Sequence, residues 1–173
     1  MQWSNFSCGG VTYDLSHLHP RTLRYERPAT TTKPAVTFKV NVTYSLHCFS
    51  YAPRGTDYDR DLVYPATEFR VFDPYRFEMS KRLPEIIQGL PDRSIRQTGH
   101  SNFITVEVIR DSGGVVEYDI FFKVKKVGKG RLELRVESAY VRDPEYGSSR
   151  PSGKKIGFLV ILHNTLNSLT IRS

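Results

Sequence analysis

Between Phe38 and Cys48 the chain alternates with a strict period of two. Phe38, Val40, Val42, Tyr44, Leu46 and Cys48 are apolar, and Lys39, Asn41, Thr43, Ser45 and His47 between them are polar. Successive side chains of extended backbone point to opposite sides, so this pattern predicts a long strand with one face on a core and one in water. No other feature of the chain limits its architecture as strongly, because such a strand needs both sheet neighbours and a layer covering its apolar face.

The segments after Cys48 supply both. Glu68–Phe72 reads as a short strand, and Asp73-Pro74 as a helix start, with the aspartate as N-cap and proline at the first helical position. Met79, Leu83, Ile86, Ile87 and Leu90 recur at helical spacing, with Pro84 placed to kink or split the helix and Gly89 and Pro91 to end it. Strands are then expected over Phe103–Arg110, Val115–Lys126 and Arg131–Val141. Turns at Asp111-Ser112-Gly113-Gly114 and Val127-Gly128-Lys129-Gly130 join them. The apolar run Ile156–Leu162 reads as a central strand covered on both faces. The expected fold is α+β: an antiparallel sheet, a meander of at least four strands, packed on one main helix. Residues 1–70 form a strand- and loop-rich N-terminal extension carrying the long amphipathic strand. Residues 71–173 hold the helix and meander, in one compact domain with that extension.

Charge narrows the functional classes. The chain of 173 residues carries Lys+Arg 25 against Asp+Glu 18, a net +7. The excess is uneven: residues 1–86 hold 11 basic and 9 acidic groups, and residues 87–173 hold 14 and 9. A basic second half points to an anionic partner, nucleic acid before a membrane surface. With 39% hydrophobic residues the chain can fill a core, which excludes a disordered or collagen-like chain. The opening residues lack a basic and apolar leader, and Ile156–Leu162 is far too short to span a bilayer. Cys8 and Cys48 are too few for a disulfide framework. The expectation is a cytoplasmic protein with reduced thiols and no membrane partner.

The residues that carry chemistry cluster around the second hairpin. Lys123, Lys125, Lys126, Lys129, Arg131 and Arg135 surround its turn and could contact several phosphates with salt-dependent affinity. The alternative is a solvated face on which Glu133 and Glu137 pair with them across strands. Ser138 and Tyr140 share parity with Leu134 and Val136. They are expected on the core side at the strand end, as a hydroxyl pair able to bind phosphate, stack a base or transfer a proton. His47 and His100 are candidate general base and acid, since imidazole titrates near neutral pH. Arg76, beside the helix start, is a candidate phosphate clamp, with pairing to Asp73 or Glu78 as the alternative. Asp57, Asp59 and Asp61 lack the glycine and distal glutamate of a calcium loop. No histidine or cysteine pair has metal-ligand spacing, so no metal and no cofactor are expected.

The run Arg76–Val141 resembles the barnase–EndoU–colicin–RelE superfamily of ribonucleases, and most its phage and toxin branches. The resemblance rests on Leu83-Pro84-Glu85-Ile86-Ile87 with Pro91-Asp92, on Phe121-Phe122-Lys123-Val124, and on Leu134-Arg135-Val136-Glu137-Ser138-Ala139-Tyr140. The whole chain also resembles small bacterial proteins labelled as stationary-phase growth adaptation proteins. The ribonuclease resemblance implies metal-independent RNA cleavage, with His100 or His47 as base and acid, Lys123 and Arg76 on the phosphate, and Ser138 and Tyr140 lining the site. It also implies a bacterial toxin-like role with a protein antitoxin or inhibitor as partner. The competing expectation is a non-catalytic module that binds nucleic acid or an acidic protein through the basic hairpin.

Overall fold

A computed structural model of the chain describes residues 2–55, 62–63, 68–97, 102–109, 113–128, 130–142 and 153–170. The amphipathic strand is present as β4 (Val36–Tyr44), following two short strands, β1 (Phe6–Cys8) and β2 (Val11–Tyr13), and a longer one, β3 (Arg21–Arg27). Phe38, Val40, Val42 and Tyr44 are buried, while Thr37 and Lys39 are exposed. The strand ends sooner than the alternation suggests. The Ser45 hydroxyl accepts the His47 N–H at 3.2 Å, and this cap starts a 3-10 turn over Leu46–Cys48. A short polar side chain that bonds its own following backbone offers the chain a turn in place of the ladder.

Beyond it lie β5 (Ser50–Tyr51), β6 (Leu62–Val63) and β7 (Arg70–Phe72), which make a small sheet in the order β5-β7-β6. Helices α1 (Pro74–Ser80) and α2 (Leu83–Gln88) come next. Asp73 caps α1 as expected, its Oδ1 accepting N–H bonds from Tyr75 at 2.9 Å and Arg76 at 3.1 Å. Pro84 sits in the first turn of α2 and splits the expected helix in two. Strands β9 (Asn102–Ile109), β10 (Val115–Lys126) and β11 (Arg131–Val141) are the three expected antiparallel neighbours, and β8 (Ile95–Gln97), absent from the sequence reading, pairs with β9 ahead of them.

The sheet as a whole is not antiparallel. Its seven strands run β12-β8-β9-β10-β11-β4-β3, and β4 pairs with β11 in parallel, Lys39 beside Arg131 through Tyr44 beside Val136. Strands from both sides of residue 70 therefore share one sheet. The fold is α+β with a mixed sheet, which corrects the pure meander on one helix. Period-two patterning reveals which face of a strand is buried but carries no sign of strand direction.

The second correction concerns Ile156–Leu162. It is not a central strand: β12 (Lys154–Ile156) is a short edge strand on β8, and after Gly157 the chain enters α3 (Phe158–Leu166). Phe158, Ile161 and Leu162 are buried, a spacing of three and four that faces one side of a helix. A short apolar run has no periodicity to distinguish these cases. The Phe158 ring lies edge-on to Tyr25 at 4.9 Å and to Phe122 at 6.2 Å, which locks α3 onto β3 and β10. The inward residues of the sheet and the three helices share one apolar cluster, while the outer face of β3, β4, β11 and part of β10 stays open to solvent. Among the described residues no helix is long and apolar enough to cross a membrane.

Candidate nucleic-acid interface

The open face is built by parity. Burying Val40, Val42, Leu132 and Leu134 leaves Lys39, Asn41, Thr43, Arg131, Glu133 and Arg135 on the other side of the same strands. The registers then set the rows. Arg24 pairs with Lys39, and Lys39 with Arg131; Thr22, Asn41, Glu133 and Lys125 form the next row; Thr43, Arg135 and Lys123 the one after.

Carboxylates offset two of these rows, fully in the first and for one charge of two in the second. Lys125 Nζ lies 3.0 Å from Glu133, and Glu137 takes Lys123 at 3.8 Å and Arg135 at 3.6 Å. The cross-strand pairing weighed for Glu133 and Glu137 is thus present, and these exposed bridges add little stability. The third row is different. Arg24, Lys39 and Arg131 are exposed, stand directly opposite one another on three strands, and have no ion-pair partner among the described residues. Like charges opposite each other across strands are destabilising. Beside them lies a groove of about 330 Å³ lined by Thr22, Lys39, Asn41, Val127, Arg131 and Leu132. Across the face Arg24, Lys39, Lys123, Lys125, Arg131 and Arg135 outnumber Glu26, Glu133 and Glu137. Lys126 is exposed at the same end of β10 but pairs with inward-facing Leu132, which takes it off this face and corrects its expected place, and Lys129 lies outside the described residues.

Sequence reasoning missed Arg24 and Lys39. β3 does alternate, with Leu23 and Tyr25 set against Thr22, Arg24 and Glu26, so its strand was detectable. The neighbourhood of Lys39 and Arg131 was not, because it depends on a parallel pairing between segments distant in the chain.

The remaining candidates gather elsewhere. The β10–β11 register shifts at Phe121 and Phe122: Phe121 faces Ser138, and Phe122 faces Val136, so Glu137 is an extra residue. A bulge of one residue flips the parity that comes after it. Ala139 therefore enters the core beside Ile120, while Ser138 and Tyr140 leave it for the outer side, beside Phe121 and Asp119. This corrects their expected placement on the core side. Ser45 holds the bulge in place: its N–H donates to Val136 O at 2.9 Å and its hydroxyl to Glu137 O at 2.6 Å.

Tyr140 stacks on Phe121 at 5.8 Å, and the Arg76 guanidinium lies 5.4 Å from its ring centre. Burial, and after it the nearby Asp119 carboxylate, raise the Tyr140 hydroxyl above its ordinary pKa. Arg76 also donates to Ser50 O at 2.8 Å and His47 O at 3.5 Å, and its Nε is 3.5 Å from Asp73. The structure thus brings Arg76, His47 and Tyr140 together, with the guanidinium tying α1 to the turn after β4. The His47 imidazole points to Glu68, its Nε2 3.0 Å from both carboxylate oxygens. That bond, ahead of Arg70 at 3.4 Å, holds the Glu68 carboxyl below its usual range. His100 lies outside the described residues. No three His, Cys, Asp or Glu side chains among the described residues are grouped to hold a metal.

Fold and face together define an α+β protein whose mixed sheet is covered by helices on one side and presents a cationic lattice on the other. The family model of the YjaZ family matches residues 5–166, and the chain belongs to that family. It is 30% identical to Protein YjaZ of Escherichia coli (strain K12) over 163 residues, which cover 92% of this chain and 87% of that protein. No solved structure matches. These findings correct the resemblance to the barnase–EndoU–colicin–RelE ribonucleases. The family match spans nearly the whole chain, and β3 and β4, which that resemblance left aside, are hydrogen-bonded members of the main sheet. The resemblance to stationary-phase growth adaptation proteins is set aside too, since the family model and the curated relative are both of the YjaZ family.

Proposed function

We propose that this protein binds nucleic acid, RNA foremost, through backbone phosphates laid across the open sheet face. The observation that carries this reading is the row Arg24–Lys39–Arg131. Three like charges held in register with no carboxylate between them cost stability, and a phosphate placed among them turns that repulsion into attraction. Lys123 and Arg135 extend the same field, while Glu133 and Glu137 limit it to one end of the face. Cations on a sheet surface reach phosphates rather than base edges, so the binding is expected to be tolerant of sequence.

Binding is preferred to cleavage because the cationic groove has no imidazole in its described lining, and the imidazole of His47 is turned to Glu68. The test is fluorescence anisotropy with a labelled single-stranded RNA in EDTA, titrated with salt. If Arg24, Lys39 and Arg131 each meet one phosphate, the slope of log affinity against log salt should be about −2. Loss of binding to folded protein at every salt concentration, or affinity independent of salt, would refute the reading. Shortened RNA recovered from the same reactions would return cleavage to consideration.

A further inference from the structure

The row Arg24–Lys39–Arg131 ends against an uncharged neighbour. Past Arg131 the hairpin turns, and Val127 stands beside Arg131, its N–H donating to Arg131 O at 3.1 Å. Val127 lines the groove together with Lys39 and Arg131 and is 37% exposed. In the turn Gly128 has a φ of +113°, and a Cβ there would lie 4.0 Å from Arg131 Nη2, so the guanidinium rests against the turn. At its other end the row stops at β3, the last strand of the sheet. The groove is thus walled on the hairpin side, with the sheet edge opposite.

The unmatched cations are concentrated rather than spread along the face. In the next row Thr22 and Asn41 are neutral, and Lys125 is taken by Glu133 at 3.0 Å. In the row after that, Glu137 offsets one charge of Lys123 and Arg135. A strand crossing the face meets three unmet charges at one place, not an evenly spaced track. Neighbouring strands lie about 4.8 Å apart, so Arg24 and Arg131 stand on backbone about 10 Å apart and their long side chains can meet over Lys39. An internal phosphodiester offers that cluster a single charge. A phosphate monoester brings about −1.5 to −2 near pH 7 and three strong acceptor oxygens. Lys39 and Arg131, with the Thr22 hydroxyl and the Asn41 amide, line the groove with donors for all three. The volume of about 330 Å³ also leaves room for the attached ribose against Val127.

We propose that the groove seats a terminal phosphate, the phosphomonoester at one end of an RNA strand. Lys39 and Arg131 hold its oxygens, Arg24 adds its charge from the sheet edge, and the rest of the strand leads away from the hairpin wall. This rests on the RNA-binding reading above and narrows it to strand ends. A dianionic group satisfies a row on which an internal diester leaves part of the charge unmet.

Three versions of one short RNA, labelled at an internal base, test this: hydroxyls at both ends, a 5′-phosphate, and a 3′-phosphate. By anisotropy at about 100 mM salt, the intact chain should bind at least one phosphorylated RNA roughly tenfold tighter than the unphosphorylated one, the worth of one more charge-assisted hydrogen bond. Its salt slope should be steeper by about 0.7, and the end that gives the gain identifies the source of the phosphate. Lys39 and Arg131 are exposed, so Lys39→Gln and Arg131→Gln should fold normally, as circular dichroism would verify. Each should weaken all three RNAs and bring the ratio close to one. Lys123→Gln, outside the groove lining, should weaken all three alike and keep the ratio. Equal binding of the three RNAs by the intact chain overturns the proposal and leaves the RNA reading standing, and so does a tenfold ratio that survives Lys39→Gln and Arg131→Gln. If folded protein binds none of the three, the RNA reading falls and the proposal with it.

Discussion

Replacing Lys39 by glutamine should make the protein more stable and a weaker RNA binder, two effects of opposite sign from one side chain. Lys39 is flanked by Arg24 on one strand and Arg131 on the other, both directly opposite and neither paired among the described residues. Charges that splay to roughly 7 Å repel by about 0.6 kcal/mol in water before screening. At physiological salt the Debye length is comparable to that separation and about halves the value. Two such pairs give about 0.6 kcal/mol of relief at physiological salt and about 1 kcal/mol at low salt. For a chain of this length that is a rise in melting temperature of roughly 2 °C and 3 °C respectively. Glutamine keeps part of the aliphatic stem over the strand, so lost packing should not hide the gain. In the RNA titration the same change removes one phosphate contact. Affinity should fall about fivefold near 100 mM salt, and the log–log slope should become shallower by about 0.7. Glu133→Gln is the control of opposite sign: it frees Lys125 and should tighten binding. Calorimetry and anisotropy on the same preparations decide the matter. If Lys39→Gln lowers the melting temperature, or leaves the salt slope unchanged, then the row is not a strained, anion-receptive site.

Three further outcomes concern the buried polar groups. Ser45→Ala removes a hydroxyl that bonds the Glu137 carbonyl and caps the turn after β4, and should cost about 2 kcal/mol in urea unfolding; a neutral result would mean the bulge holds without it. Tyr118 is fully buried with no partner for its hydroxyl among the described residues, so Tyr118→Phe should stabilise by about 1 kcal/mol, and a loss of that size would contradict the account. Burial raises the Tyr44 hydroxyl and the Cys48 thiol to about 12, and pushes Tyr25 and Tyr118 up as well. The folded state therefore keeps protons that the unfolded chain releases near pH 9 to 10, so the stability is fully present below that range and declines as pH rises toward about 12. Denaturation curves between pH 8.5 and 11.5 should show this, Tyr44→Phe should flatten part of it, and pH-independent stability would refute it.

Much of the local structure was legible in the sequence because it depends on near neighbours. The alternation of β4, β10 and β11 follows from period-two patterning. The start of α1 at Asp73-Pro74 and the break at Pro84 follow from capping and from the missing proline donor. The cations of the second hairpin were visible, and so was their partial neutralisation by Glu133 and Glu137, since strand partners across a tight turn can be counted from the sequence. Apolar runs without periodicity were not legible, and α3 shows why: Phe158, Ile161 and Leu162 reveal a helix only once their burial is known.

Three decisions belonged to the tertiary structure. The parallel β4–β11 pairing places Lys39 between Arg24 and Arg131, across a separation in sequence that no local pattern reports. The extra residue at Glu137 reverses the facing of Ser138 and Tyr140, and it is set by Ser45 from a distant segment. The β12–β8 and β9–β10 registers bring Arg96 and Lys155 around one cleft with Glu107 and Glu117. The sequence by itself determines which residues seek the core and where the chain turns, because those preferences act over a few bonds. Which cations become neighbours, and which faces stay open, is decided by long-range register, where the free energy of the whole sheet outweighs the local preference of any one pair.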